Sequence, residues 1–189
     1  MKQSILIAVL AFASILAKAQ SLQDFSLTNV VNDHEVSLNT FPSCEGLVFI
    51  FTSNACPYDE HYRERVRKLA STYRDKVPVV LVNANVEPAE AIPAMKAKSR
   101  DYGVEIPYLA DKDQILMKQL GATKSPQAFL VKNDNGKFSV VYSGAIDDNA
   151  QVEADVRHSY LKDAIDALIA GNPIKTPEVR PTGCTIRRK

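Results

Sequence analysis

Three cysteines, Cys44, Cys56 and Cys184, are the residues of this chain best suited to covalent chemistry. A thiolate is both nucleophile and leaving group, and two thiols can be joined by oxidation. Cys56 stands in "FIFTSNACPYDEHYRERV", where an apolar run ends and a proline opens a helical pattern. A C-x-x-C pair at such a junction would shuttle electrons by closing and opening its own disulfide. Here the first of the two positions is Ser53, so that cycle cannot run within the motif. An odd number of cysteines allows at most one internal disulfide and leaves at least one thiol over.

The elements that position Cys56 follow from periodicity. "GLVFIFT", Gly46 to Thr52, is a short apolar run rich in β-formers and reads as a buried central strand. Tyr58, Tyr62, Val66, Leu69 and Tyr73 recur at helical spacing, predicting an amphipathic helix directly after Pro57. Cys56 therefore falls at a strand's carboxyl end and a helix's N-terminus. Free N–H groups and the positive dipole end lower a thiol pKa there. Pro57 suits the first helical turn, where its missing N–H costs little. His61, Arg63 and Arg65 are expected to add positive potential. Along the chain we expect a small hairpin about Asn32-Asp33 and a second buried strand in "VPVVLVNAN". Next come a helix over 88–103, with Pro93 disturbing its start, the extended "IPYLAD" and a short helix closed by Gly121. A hairpin turning at Asn133 to Gly136 and a last helix from Tyr160 to Ala170 complete the pattern. Early strands joined by helical crossovers should be parallel, and the late hairpin adds antiparallel strands. The expected class is α/β, a mixed central sheet flanked by helices on both faces, in one domain. The proline-bearing tail, 172–189, reads as flexible and its basic end as a soluble terminus.

Composition narrows the functions. Of 189 residues, 46% are hydrophobic and 24% charged, enough to bury a core. A net charge of +1 gives no reason to expect a nucleic-acid partner. Lys2, the apolar run Ile5 to Ala17 and the ending Ala17-Lys18-Ala19 make a signal peptide over 1–19. The run is shorter than the ~20 residues of a spanning helix. The domain would occupy 20–189, exported to the periplasm or beyond, where disulfides persist, with no membrane span after cleavage. Cys56 and His61 with His34 or His158 lack metal-ligand spacing, so neither a metal nor another cofactor is expected. Asp147 and Asp148 in "IDDN" read as a solvated turn.

At this point the chain resembles a family. "FTSNACPY" looks like the "FTCNHCPY" site of bacterial thioredoxin-like redoxins of the alkyl hydroperoxide reductase/thiol-specific antioxidant family. "VPVVLVNAN", "KSPQAFLV", "YSGAIDD", "YLKDAIDALIAGNPI" and "PTGCTIRRK" are similar, in order, to further segments of that family. The resemblance covers roughly Asp24 to Lys189. It implies a thioredoxin-like fold, oxidoreductase or antioxidant activity, and thiol- or disulfide-bearing protein partners or a peroxide as substrate. It places Ser53 at the family's first, nucleophilic cysteine and Cys56 at its second. It makes Pro126 the proline, usually cis, that faces the site, with Thr52 and Pro57 flanking the substrate side.

The serine leaves three readings open. Cys56 could act as a single-cysteine thiol catalyst with a remote resolving partner. It could act as a peroxidase, because Ser53-x-x-Cys56 resembles the Thr-x-x-Cys of peroxiredoxins, Ser53 donating a hydrogen bond. That family's proline four residues earlier is Phe49 here. Third, the site could be degenerate and the fold serve binding. Cys44 lies before the strand that leads to Cys56, on the order of 25 Å away at ~3.3 Å per residue, far beyond the ~7 Å a disulfide allows. Cys184, in a tail able to extend ~40 Å, is the candidate resolving residue. A Cys44–Cys184 staple that leaves Cys56 free is the alternative. The sequence does not address oligomeric state. N-terminal sequencing of the exported chain should read Gln-Ser-Leu from Gln20; an uncleaved Met1 in a membrane fraction would overturn the leader.

Overall fold

The structure, a computed structural model, describes residues 20–103 and 105–189; the expected leader lies outside them. The hairpin of β1 (Leu27–Asn29) and β2 (His34–Val36) is followed by β3 (Gly46–Phe51), α1 (Pro57–Tyr73) and β4 (Val79–Asn83). Then come α2 (Ile92–Ser99), β5 (Tyr108–Ala110), α3 (Ile115–Leu120), β6 (Lys124–Ser125), β7 (Gln127–Asp134), β8 (Lys137–Gly144) and α4 (Tyr160–Ile169). Two short strands, β9 (Glu178–Val179) and β10 (Cys184–Thr185), lie in the tail.

The main sheet runs β2-β1-β5-β4-β3-β7-β8-β9. As the crossover argument requires, β3, β4 and β5 are parallel, and β7 and β8 join antiparallel beside β3. Strand alternation sorts the core into two layers. Leu47, Phe49 and Phe51 of β3 face α3 and the N-terminal segment, Phe49 edge-on to Phe25 and Phe51 edge-on to Phe129. Val48 and Ile50 face α1, α2 and α4. The expected mixed sheet with helices on both faces is thus present. Pro93 shortens the second helix: 88–90 is a separate 3-10 turn, and α2 starts at Ile92 with the proline in its first turn.

The tail differs from the flexible segment expected. Beta9 pairs in parallel with the end of β8, and β10 pairs antiparallel with β6, placing Cys184 opposite Ser125. Both dockings depend on glycine: a Cβ on Gly144 would overlap the Val179 carbonyl, and one on Gly183 the Ser125 carbonyl. Ile186 is buried in the core, and its N–H donates to the Thr123 carbonyl at 3.0 Å. The buried amide of Gln114 donates to the Arg187 carbonyl (2.7 Å) and accepts from the Lys189 N–H (2.8 Å). Lys189 pairs with Asp113 at 3.0 Å and Arg187 with Glu87 at 3.8 Å, so the basic end is held down. The segment is a strap across one end of the sheet. Two-residue strands carry no periodicity, which is why the sequence pattern hid them. Gly183→Ala is expected to lift the strap and cost roughly 1–3 kcal/mol of stability. Denaturation midpoints and the fraction of Cys184 that an alkylating agent reaches would check this.

Candidate active site

Beta3 ends beneath the site. The Thr52 N–H still bonds the Val82 carbonyl at 2.9 Å, the chain turns through Asn54 and Ala55, and Cys56 is the N-cap of α1 with Pro57 exposed in its first turn. Cys56 is only 4% exposed. It is disulfide-bonded to Cys184, the Cα atoms 6.0 Å apart. Its Sγ lies 3.2 Å from the Ser125 carbonyl oxygen, to which the reduced thiol could donate. The Ser125–Pro126 peptide is cis, as the resemblance implied, and Pro126 is buried beside Gly183 of the strap. Three segments remote in sequence therefore converge: the β3–α1 corner, the cis-proline loop and the strap. Cys44 stays apart, half-buried. Its thiol donates to the Phe41 carbonyl at 3.2 Å, and burial pushes its pKa up. Of the two pairings left open, Cys56–Cys184 forms and the Cys44–Cys184 staple does not.

The hydroxyls expected at the sulfur point elsewhere. Ser53 is buried and donates to Glu90 Oε1 at 2.6 Å, not to Cys56. Thr52, expected on the substrate side, is buried and donates to Asp59 Oδ1 at 2.6 Å. Glu90, 2% exposed, accepts four hydrogen bonds. Oε1 takes the Ser53 hydroxyl and the Ala55 N–H (3.1 Å), and Oε2 takes the Asn54 N–H (2.8 Å) and Asn83 Nδ2 (2.7 Å). Burial opposes the charge, but these donors outweigh it and hold the Glu90 carboxyl below its ordinary range. Asp59 has the opposite balance. Burial pushes it up to about 8, only partly offset by Thr52 and the Ser53 N–H, and the Glu90 charge pushes the same way. Two neighbouring carboxyls thus differ in protonation near neutrality, Glu90 ionised and Asp59 holding a proton.

A second tier fixes these groups. Asn83 Nδ2 also donates to the Tyr108 hydroxyl (2.9 Å), which donates to Asn54 Oδ1 (3.0 Å). Lys112 donates to Asn83 Oδ1 (3.1 Å) and to the Asn85 carbonyl (2.7 Å), and burial lowers it to about 8. Glu90, Asp59, Asn83, Tyr108 and Lys112 escaped the sequence reading, although Asn83 lies in a segment that carried the resemblance. The positive potential expected from Arg63 and Arg65 is spent on ion pairs. Arg63 pairs with Glu60 and Asp101. Arg65 is buried, 3.8 Å over the Tyr62 ring, and donates to Asp147 Oδ2 at 2.6 Å. Asp147 is therefore half of a buried ion pair and not a solvated turn residue. The signal was present: Arg65 lies three residues after Tyr62 and four before Leu69, on the helix's apolar face. Among the described residues no group of three or more potential ligands could hold a metal, and no helix is long and apolar enough to cross a membrane.

Known proteins are similar to this chain in sequence and fold. A family model described as Redoxin matches residues 17–158, a segment that includes Ser53, Cys56 and Pro126 but stops before Cys184. A hypothetical protein of Sinorhizobium meliloti 1021 is 31% identical over 89% of this chain and 97% of its own, with TM-score 0.76. An uncharacterized conserved protein of Geobacillus kaustophilus is 26% identical over 93% of this chain and 94% of its own, with TM-score 0.81. A secreted disulfide oxidoreductase of Mycobacterium tuberculosis shares the thioredoxin-like fold at 14% identity, over 78% of this chain and 95% of its own, with TM-score 0.54. No curated protein matches.

The Asp59 environment has a measurable consequence. With its folded pKa raised to about 8, its native proton is retained where the unfolded chain has lost it. The associated stability is complete below about pH 4, the ordinary aspartate value, and is lost as pH rises through about 8. The native chain should therefore lose stability relative to Asp59→Asn across that window and no further above it. Denaturant midpoints of both proteins at a series of pH values would test this; parallel profiles would refute it.

Proposed function

The chain belongs to the Redoxin family, and on that premise we propose that it is an exported thiol–disulfide oxidoreductase whose redox couple is Cys56 and Cys184. Family membership supports a thiol-redox function in general, with thiols or disulfides as partners. The observation that carries the finer reading is the disulfide between Cys56, at the second position of the S-x-x-C stretch, and Cys184, opposite the cis-proline loop. Ser53 removes the local partner, and the strap supplies a remote one. A dithiol and a disulfide state are then both available within one chain, as two-electron exchange requires.

In this reading a partner dithiol is oxidised as the Cys56–Cys184 bond opens, and the reverse direction reduces a partner disulfide. Ser53 is a positioning residue: its hydroxyl and the neighbouring N–H groups bind Glu90 and hold the corner that presents Cys56. Pro126, with the Ser125 carbonyl beside Cys56, shapes the ground on which the strap lies. A hydroxyl committed to Glu90 and a sulfur almost wholly enclosed do not favour the peroxidase alternative. An internal disulfide suits an oxidising compartment, in keeping with export.

The experiment is a redox titration of the full mature chain in glutathione and dithiothreitol buffers, with Cys56–Cys184 quantified by alkylation and mass. An exchange-active couple should titrate between about −270 and −120 mV, the range of known oxidoreductases. Cys184→Ser should abolish that transition and the acceleration of disulfide exchange in a reduced test protein. A midpoint below about −300 mV would mark the bond as a structural staple and the fold as a non-catalytic module.

A further inference from the structure

We propose that Cys184 is the sulfur that exchanges with the partner and that Cys56 is the buried resolving thiol. The assignment rests on the thiol–disulfide reading above and deepens it. It reverses the order expected from sequence, in which Cys56 attacks and Cys184 resolves.

Two independent observations carry it. The first is access. Cys56 is 4% exposed, closed in by the strap and by the Ser125 carbonyl, whereas Cys184 is only half-buried and lies between exposed Thr182 and Thr185, separated from the former by Gly183. An incoming thiolate must approach a sulfur in line with the bond it breaks, and Cys56 leaves almost no open surface for that approach. The second is the leaving group. Exchange is faster when the expelled thiol has the lower pKa. Attack on Cys184 expels Cys56, the N-cap of the seventeen-residue α1, where the positive end of the helix dipole favours a thiolate. Attack on Cys56 would expel Cys184, which sits on a two-residue strand with no helix end of its own. Both considerations select the same sulfur.

The steps balance. A thiolate of a partner dithiol attacks Cys184 Sγ, forming the intermolecular S–S bond. The Cys56–Cys184 bond breaks, and its electron pair leaves on Cys56 Sγ, which takes up a proton from solvent and then hydrogen-bonds the Ser125 carbonyl as a thiol. The partner's second thiolate then attacks its own first sulfur, forming the partner disulfide and releasing Cys184 as a thiolate. The partner loses two electrons and the chain gains them. In reverse, Cys184 thiolate opens a partner disulfide, and Cys56 then resolves the mixed disulfide by attacking Cys184 Sγ. Cys56 is enclosed in the β3–α1 corner, and Cys184 lies on the strap, where β10 pairs with β6 at the surface.

The test uses the oxidised mature chain and glutathione as the attacking thiol, with rapid acid quench, alkylation and peptide mapping. Glutathione on Cys184 with Cys56 alkylated should exceed the reverse adduct at least tenfold. A second measurement avoids migration between sulfurs. With oxidised glutathione, Cys56→Ser should capture the mixed disulfide at Cys184 at least tenfold faster than Cys184→Ser captures it at Cys56. Adducts mainly on Cys56, or equal on the two sulfurs, overturn the assignment while leaving the redox couple standing. A disulfide that stays closed at every glutathione concentration overturns the couple itself and this assignment with it.

Discussion

A single buried carboxylate organises this site. Glu90 reaches across from the loop after β4 and binds the hydroxyl of Ser53 and the N–H groups of Asn54 and Ala55, while Asn83 anchors it from the sheet. Hydrogen bonds to an ionised group contribute about 1.5–3 kcal/mol each and leave a costly charge behind if removed. The turn between β3 and α1 is consequently held by charge-assisted bonds, and the direction of Cys56 at the head of α1 follows from it. The serine also gains a physical reason. A hydroxyl is a far better donor to a buried carboxylate than a thiol. The residue that removed the local sulfur thus strengthens the corner that holds the other one.

With the corner fixed, the second sulfur must come to it, and the strap is shaped to do so. Gly144 lets β9 lie against the end of β8, and Gly183 brings the backbone onto Ser125 closely enough for β10 to pair with β6. Ile186 and the Gln114 amide hold the segment beyond Cys184. The disulfide closes a loop with a sequence separation of 128 residues. On a chain-entropy account such a loop is worth on the order of 5 kcal/mol against the unfolded state. This constraint is present only while the Cys56–Cys184 bond is closed.

Where the chain is periodic, its structure was legible. Beta3, α1 and the β7–β8 hairpin follow from spacing and turn residues alone, and the parallel order of β3, β4 and β5 follows from their crossovers. The docked strap was not legible, because its strands are two residues long and its fit depends on backbone approach at glycines. Cys184 could be named as a partner but not chosen over the staple, since reach alone does not select between two thiols. Glu90 was invisible for a different reason: two of its four donors are backbone N–H groups some 35 residues away, which leave no mark in a sequence, and the Ser53 hydroxyl is as remote. Arg65 and Asp147 were misread because each was judged by its local neighbours, a charged helix and an Asp-Asp-Asn turn, and not by the apolar face that brings them together.

A remote disulfide differs physically from one within a C-x-x-C pair. Two cysteines three residues apart share one rigid turn, so opening their disulfide changes little else. Here the sulfurs belong to separate elements, and forming the bond requires the strap to be docked. Any contact that favours the docked strap therefore also favours the disulfide, and does so equally whether it touches the sulfurs or lies several residues away. For a two-electron couple, 1.4 kcal/mol of such coupling corresponds to about 30 mV. The Gln114 clamp, the burial of Ile186 and the Gly183 fit thus act on the sulfurs through the strap. Conversely, the oxidation state of Cys56 and Cys184 is expressed in how firmly the last residues of the chain are held against the sheet.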